Sequence, residues 1–175
     1  MADFIKGYDS VVTAPIGSGA ENLIGTNTGI CDIAATNAIV ELDPEFSNNL
    51  FPTGTTFTAI QVTFTAQTTT SATSTLRVTP KIGAISSGHQ DFDINAGSSF
   101  VTNQGLFGLS PTVNSMQFLT VQFKLITPNS TTTRIIKSFA GGTPKIKISY
   151  TLPFSNKVYN TSGALEITSG KTSIT

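Results

Sequence analysis

The sequence predicts an all-β fold: an antiparallel two-sheet β-sandwich, jelly-roll-like in its connections, with extended N- and C-terminal arms. Apolar residues alternate with Thr, Gln or Lys in four clear segments, which is typical of strands buried on one face. Gly and Pro recur between these segments at turn-like intervals. No stretch of about a dozen residues combines the helical apolar period with helix caps. A parallel βαβ arrangement is therefore disfavoured, and an immunoglobulin-like Greek key is the second topology.

A chain of 175 residues fits one domain with additional segments at its ends. We predict an N-terminal arm over residues 1–37, a sandwich over 38–159 and a C-terminal tail over 160–175. Both end segments are rich in Gly and lack the alternation of the middle. The N-terminal segment still holds more apolar residues than a loose terminus usually does. We therefore predict an assembly arm that orders on a neighbouring subunit through Phe4, Ile5, Tyr8, Val11 and Val12.

The clearest predicted strands are Ala59–Gln67, Leu76–Ile82, Leu119–Ile126 and Lys145–Leu152. Phe64 and Phe123 fall on the apolar side of their segments, so we expect both in the core. Pro80 interrupts the second pattern and predicts an edge strand or a bulge. Weaker candidate strands are Ala38–Leu42, Phe92–Ile94, Thr133–Lys137, Val158–Tyr159 and Leu165–Thr168.

The predicted outer faces carry Thr and Gln where a free soluble protein usually carries charges. Charged residues make up 11% of the chain, and 10 Lys and Arg balance 10 Asp and Glu. Nothing in this balance favours nucleic acid or an anionic membrane as a partner, and the 1–37 segment is acidic rather than basic. A charge-poor β-face gives weak protection against edge pairing, which favours coverage by neighbouring subunits.

Residues with chemical reactivity are few, and we predict no catalytic, cofactor-binding or metal site and no enzyme activity. Cys31 is the only cysteine, so it forms no intrachain disulfide, and we expect a buried thiol. His89 is the only histidine and falls in a loop. Asp91 and Asp93 flank Phe92, so both are expected to face solvent, with a weak Ca²⁺ site as the alternative. Asp43-Pro-Glu45 reads as a turn.

Two further sequence features concern binding and cellular location. Sugars usually stack on aromatic rings, and the chain has no Trp and three Tyr. If the loops of the sandwich bind a receptor or glycan, the candidate contact residues are Thr68, Thr69, Thr70 and Phe107. The start MADFIKGYDS lacks the basic and apolar regions of a signal peptide, and no apolar run is long enough to span a membrane. We therefore expect synthesis in a cytosol.

The strands AIQVTFTA, LRVTPKI, FLTVQFKLI and PKIKISYTL, with the connections TTTSATST and PNSTTT, resemble small β-sandwich virion proteins of tailed bacteriophages. Cement (decoration) proteins of the capsid surface are the most similar type, and the likeness covers Ala59–Leu152. The resemblance implies a virion protein that is made in the host cytoplasm, forms a homotrimer or other homo-oligomer, and bridges capsid proteins. A tail or fibre component and a lectin-like, glycan-binding module remain the alternatives.

Overall fold

A computed structural model describes residues 1–69, 72–95, 100–108, 113–126, 132–137, 142–153, 157–158, 165–168 and 171–174. It confirms the predicted fold class, because two antiparallel sheets pack face to face around one core. The strands are β1 Ala2–Lys6, β2 Ser10–Thr13, β3 Gly29–Ile33, β4 Ile39–Asp43, β5 Thr56–Thr68, β6 Ser74–Ile82, β7 Ile85–Ser86, β8 Gln90–Ile94, β9 Val101–Phe107, β10 Leu119–Leu125, β11 Thr133–Lys137, β12 Lys145–Thr151, β13 Lys157–Val158, β14 Leu165–Thr168 and β15 Lys171–Ile174. Short 3₁₀ helices cover Ala20–Leu23 and Val113–Phe118.

Sheet 1 is built around the long strand β5. One edge of β5 pairs with β9, and its other edge pairs first with β12 and then with β11. The strands β1 and β3 extend the sheet beyond β12 and β11. In sheet 2, the order is β2, β4, β10 and β6, and the far edge of β6 pairs with both β7 and β8.

Successive strands cross from one sheet to the other at nearly every connection from β1 to β11. Only β6, β7 and β8 follow one another within sheet 2, and β11 and β12 within sheet 1. This wrapping is typical of a jelly roll rather than of two separate meanders. A side chain also links the sheets at one edge, since Gln90 Nε2 on β8 donates to the Leu106 carbonyl oxygen on β9 at 2.7 Å.

The core forms where the apolar sides of the alternating strands meet. Phe64 of sheet 1 contacts Phe123 and Phe92 of sheet 2 edge-to-face, with ring centroids 5.5 and 5.2 Å apart. Phe64 and Phe123 are fully buried, which confirms the predicted inner faces of β5 and β10. Leu152, expected on the inner side of the fourth segment, is exposed, because the register of β12 shifts at Ser149–Tyr150 and the strand ends at Thr151.

Pro80 does not make β6 an edge strand, because β6 pairs on both sides. The proline lies between the segments that pair with β8 and with β7. Its carbonyl oxygen there accepts hydrogen bonds from the backbone N–H and the hydroxyl of Ser87. The missing N–H of Pro80 therefore costs no ladder hydrogen bond, since the partner strand is already interrupted at this point.

The first 37 residues are not irregular: they supply β1, β2 and β3, which pair within the two sheets. Neither β1 nor β2 has a fully buried residue, so their sequences show little contrast between an apolar and a polar side, and the alternation pattern missed them. The C-terminal region contributes a small antiparallel sheet of β13, β14 and β15. Val158–Tyr159 was predicted as a strand, and its second residue lies outside the described residues.

Candidate functional site

The acidic residues beside His89 are held by partners on β6. The Arg77 guanidinium donates to both oxygens of Asp91, at 2.7 and 2.8 Å, and this pairing lowers the pKa of the Asp91 carboxyl. Asp93 accepts a hydrogen bond from the Thr75 hydroxyl. Both Asp residues face outward, as predicted, and His89 is exposed in the loop before β8.

Cys31 lies buried on β3, and burial raises the pKa of its thiol to about 12. A thiol with so high a pKa is a poor nucleophile. Among the described residues, no three His, Cys, Asp or Glu side chains gather in a way that would hold a metal ion. The described part of the chain also contains no helix long and apolar enough to cross a membrane.

The residues predicted for an assembly arm divide between the core and the surface. Tyr8 is fully buried, Val11 packs against the core, and the Phe4 ring contacts Phe46 and Phe51 edge-to-face. Ile5 and Val12 are exposed. Most of the predicted contact surface of this segment is therefore used within the chain itself, because β1 is an integral strand of sheet 1.

The candidate loop contacts do not form one surface. Thr68 is buried, and its hydroxyl donates to the Asn95 carbonyl oxygen at 3.3 Å. Phe107 is buried at the end of β9 rather than displayed in a loop, because inward positions of β9 face the core. Thr69 is exposed, and Thr70 lies outside the described residues. Of the three that the structure describes, Thr69 is the one with an exposed side chain.

The outer face of sheet 1, here called the Thr/Gln face, carries hydroxyl and amide groups along its centre. Its members on β5 and β9 are Gln61, Thr63, Thr65, Gln67, Thr102 and Gln104. The Thr65 hydroxyl lies 2.9 Å from that of Thr102 and accepts from that of Thr143 at 2.8 Å. These three hydroxyls bond to one another, whereas the buried Gln67 Oε1 on the same face has no hydrogen-bond partner.

The outer face of sheet 2 is organised around a carboxylate and is here called the Glu41 face. Its members are Glu41 on β4, Thr120 and Gln122 on β10, and Lys81 on β6. Thr120 Oγ1 donates to Glu41 Oε1 at 2.5 Å, and Gln122 Nε2 donates to Glu41 Oε2 at 2.6 Å. Lys81 Nζ lies 3.7 Å from Glu41 Oε1. Although it is on an outer face, Glu41 is only 7% exposed.

An exposed aromatic ring stands at the end of this face. Phe118 immediately precedes β10, is 56% exposed, and lies opposite Gly83, whose N–H donates to the Phe118 carbonyl oxygen. Among the described aromatic residues it is the one that is exposed. Phe118 ends the second 3₁₀ helix, two residues before Thr120. Ile85, 71% exposed, flanks the same turn through its pairing with Ile82.

Acidic groups surround the Asp43 edge of the Glu41 face. Burial raises the pKa of the Asp43 carboxyl, and the nearby charges of Glu45 and Asp9 raise it further. The Glu45 backbone N–H and the Lys6 ammonium act in the opposite direction. The Glu45 N–H donates to Asp43 Oδ1 at 2.6 Å, which confirms the turn predicted at Asp43-Pro-Glu45. Negative charge thus outweighs positive charge at this edge.

Sequence reasoning missed the Glu41 face. The pattern places Gln122 on the outer side of its strand, but it gives no sign that Glu41 comes from a strand paired beside it. Eighty residues separate the two strands, and strand order is not readable from alternation. Phe118 was also missed, although a large aromatic that continues the outer column of Thr120 and Gln122 was a usable signal.

No protein-family model matches the sequence. No curated protein matches it either. Solved structures do match in fold. One is the CBM36-1 domain of a multidomain xylanase from the hindgut metagenome of Trinervitermes trinervoides, at 15% identity and a TM-score of 0.43, covering 85% of this chain and 97% of that chain. Another is the carbohydrate-binding module CBM36 in complex with calcium and xylotriose, at 8% identity and a TM-score of 0.42, covering 86% of this chain and all of that chain.

A third match is the enzymatically active domain of tailspike protein 4 of bacteriophage CBA120, at 15% identity and a TM-score of 0.32, covering 87% of this chain and 19% of that chain. Two CBM36 domains, a CBM6 domain and a cellulose-binding domain are among the matches, and none of these four is a capsid protein. The prediction of a capsid-surface cement protein is therefore wrong. The predicted virion location and homo-oligomer are tested by none of these observations and stay predictions.

Proposed function

We propose that this chain is a non-catalytic, glycan-binding β-sandwich module, and that the Glu41 face is its binding surface. The observation that carries the proposal is the combination of one exposed ring, Phe118, with a carboxylate, a hydroxyl, an amide and an ammonium on neighbouring strands. A saccharide presents an apolar ring face and a rim of hydroxyls. It therefore needs a flat apolar contact and several oriented polar groups in the same place.

The polar groups of this face are fixed before any ligand arrives. The two short bonds to Glu41 hold Thr120 and Gln122 in single orientations. A ligand that meets fixed donors and acceptors does not lose the free energy of ordering them. Preorganisation of this kind supports binding, and the buried Cys31 together with the Asp91 carboxylate held by Arg77 supports a role without catalysis.

The Thr/Gln face is the second candidate surface and lacks two of these features. The hydroxyls of Thr65, Thr102 and Thr143 bond to one another rather than to a carboxylate, and the central rows on β5 and β9 contain no aromatic ring. It does carry an exposed apolar residue, Leu106, which is 60% exposed on β9. Leu106 therefore provides a control that matches Phe118 in exposure but lies on the opposite side of the sandwich.

The test is affinity electrophoresis of the purified chain through gels that contain soluble polysaccharides. The unmodified chain should be retarded by at least one neutral polysaccharide. Phe118→Ala should weaken the affinity about 2- to 13-fold, because an aromatic contact is worth roughly 0.5–1.5 kcal/mol beyond its area. Leu106→Ala should bind as the unmodified chain does. Equal losses in both variants, or no retardation in any gel, would refute the proposal.

A further inference from the structure

The Glu41 face also has a donor and acceptor arrangement that selects among glycans. We infer that it binds neutral saccharide units in preference to carboxylated ones, and that Glu41 acts as a positioning residue rather than as a direct ligand contact. This inference rests on the proposed function and adds the chemical class of the ligand to it.

The hydrogen bonds around Glu41 all run in one direction, toward its carboxylate. An ionised carboxylate only accepts, so Thr120 and Gln122 must donate to Glu41. Thr120 has a single hydroxyl proton, and that proton is directed at Glu41 Oε1. What Thr120 offers a ligand is therefore a lone pair, and the Gln122 side chain offers its carbonyl oxygen together with its second N–H.

The donors and acceptors left free on this face match the hydroxyl groups of a sugar. Lone pairs on Thr120 and Gln122 match the hydroxyl protons of a sugar. The Lys81 ammonium, which has three protons and makes one ion pair at 3.7 Å, can donate to a sugar oxygen. A hydroxyl satisfies both demands because it donates and accepts, whereas a carboxylate only accepts. A carboxylate group facing Thr120 would therefore leave that lone pair opposed by another lone pair.

The charged groups around this end of the face also favour a neutral ligand. Glu41, Asp43, Asp9 and Glu45 supply negative charge around this end of the face, and Lys6 and Lys81 supply positive charge. Lys124 lies on the same strand face but about 13 Å beyond Thr120, at roughly 3.3 Å per residue. Arg77 is already paired with Asp91. An anionic sugar would thus approach a surplus of like charge, and like-charge contacts are strongly unfavourable.

The experiment compares glycans that share a backbone and differ in charge. The probes are hydroxyethyl cellulose against carboxymethyl cellulose, and methyl-esterified against de-esterified homogalacturonan, with galactomannan and xylan as further neutral members. The unmodified chain should bind the neutral member of a pair at least about tenfold more tightly. This comparison needs no variant, so a folding defect cannot obscure it.

Glu41→Gln then tests the positioning role. The substitution is nearly isosteric, but the new amide can donate as well as accept, so the orientations of Thr120 and Gln122 are no longer fixed. We expect weaker neutral binding and a smaller ratio of neutral to acidic affinity, whereas a purely structural loss would lower both affinities alike. Asp91→Asn is the matched control, since it removes one negative charge from the same sheet outside this network.

The outcomes separate the two proposals. Neutral preference in the unmodified chain, narrowed by Glu41→Gln and kept by Asp91→Asn, supports the inference. Equal or tighter binding to the acidic members, or an unchanged ratio in Glu41→Gln, overturns it and leaves glycan binding intact. Failure to bind any member of the panel overturns both.

Discussion

The two outer faces of this sandwich arise from the same alternation of residues, but they differ in how they satisfy their polar groups. On the Thr/Gln face, hydroxyls of Thr65, Thr102 and Thr143 bond to one another across adjacent strands. On the Glu41 face, a carboxylate gathers a hydroxyl, an amide and an ammonium around itself. On the first face three hydroxyls bond to one another, and on the second the bonds to Glu41 leave a lone pair of Thr120 and one N–H of Gln122 outside them.

This difference shows why residue composition alone is a poor guide to a binding surface. Both faces are rich in uncharged polar residues, and both include exposed apolar side chains. What separates them is one buried acceptor, Glu41, which has no proton to give and so fixes the direction of every bond around it. A carboxylate at the position of Glu41 therefore fixes the orientation of the polar side chains beside it, which the Thr residues of the other face do not do.

The largest expected loss of stability comes from substituting a core side chain on which both sheets pack. Phe64→Ala and Phe123→Ala should each lower the free energy of unfolding by about 3–5 kcal/mol, because each leaves a large cavity between the sheets. Urea denaturation followed by circular dichroism measures the loss. Thr63→Ala, a neighbour of Phe64 on the outer side of β5, is the control. A loss below about 1 kcal/mol for either Phe variant would mean that the sheets do not depend on this contact.

Substitutions of polar side chains on the two outer faces should lower the stability by smaller and unequal amounts. Glu41→Ala should lower the free energy of unfolding by about 1–3 kcal/mol, because it leaves the donors of Thr120 and Gln122 unpaired in a half-buried network. Thr65→Val should cost under about 1 kcal/mol, since Thr102 is exposed and its hydroxyl can bond to water instead. Denaturant unfolding measures both. Equal losses in the free energy of unfolding for the two variants would show that the hydrogen bonds of the two faces contribute equally to stability.

The smallest effect concerns an ion pair away from the network. The pKa of Asp91 is lowered by its hydrogen bonds to Arg77, so the pair stabilises the fold above the ordinary pKa of an aspartate. That contribution disappears as pH falls through the lowered pKa. Asp91→Asn should therefore be slightly less stable than the unmodified chain near neutral pH, with the difference vanishing in acid. Melting temperatures across that pH range measure it, and a difference that grows in acid would contradict the assignment.

The sandwich was predictable because its central strands are long and strictly alternating. The described bounds of β5, β6, β10, β11 and β12 follow the predicted segments within a few residues. The N-terminal strands were not predictable from alternation, because β1 and β2 bury no side chain fully and because β1 and β3 pair with strands at least a hundred residues along the chain.

The candidate site was less accessible to sequence reasoning than the fold. Alternation places Gln122 on an outer face, but the partner that orients it, Glu41, lies on a strand about eighty residues away. Phe107 and Thr68 were expected in contact loops and are instead buried at strand ends. Which polar residues meet across strands depends on strand order, and strand order is fixed by the packing of the whole core rather than by any local pattern.

The most direct test of this account is an amide chemical-shift map of the chain during titration with a short fragment of the neutral polysaccharide that binds best. We predict that the shifts concentrate at Phe118, Thr120 and Gln122 and on the neighbouring residues of β4 and β6. The amides of Thr63, Thr65 and Thr102 should stay unchanged. Shifts confined to the Thr/Gln face, with the Glu41 face unaffected, would show that the saccharide binds the opposite side of the sandwich.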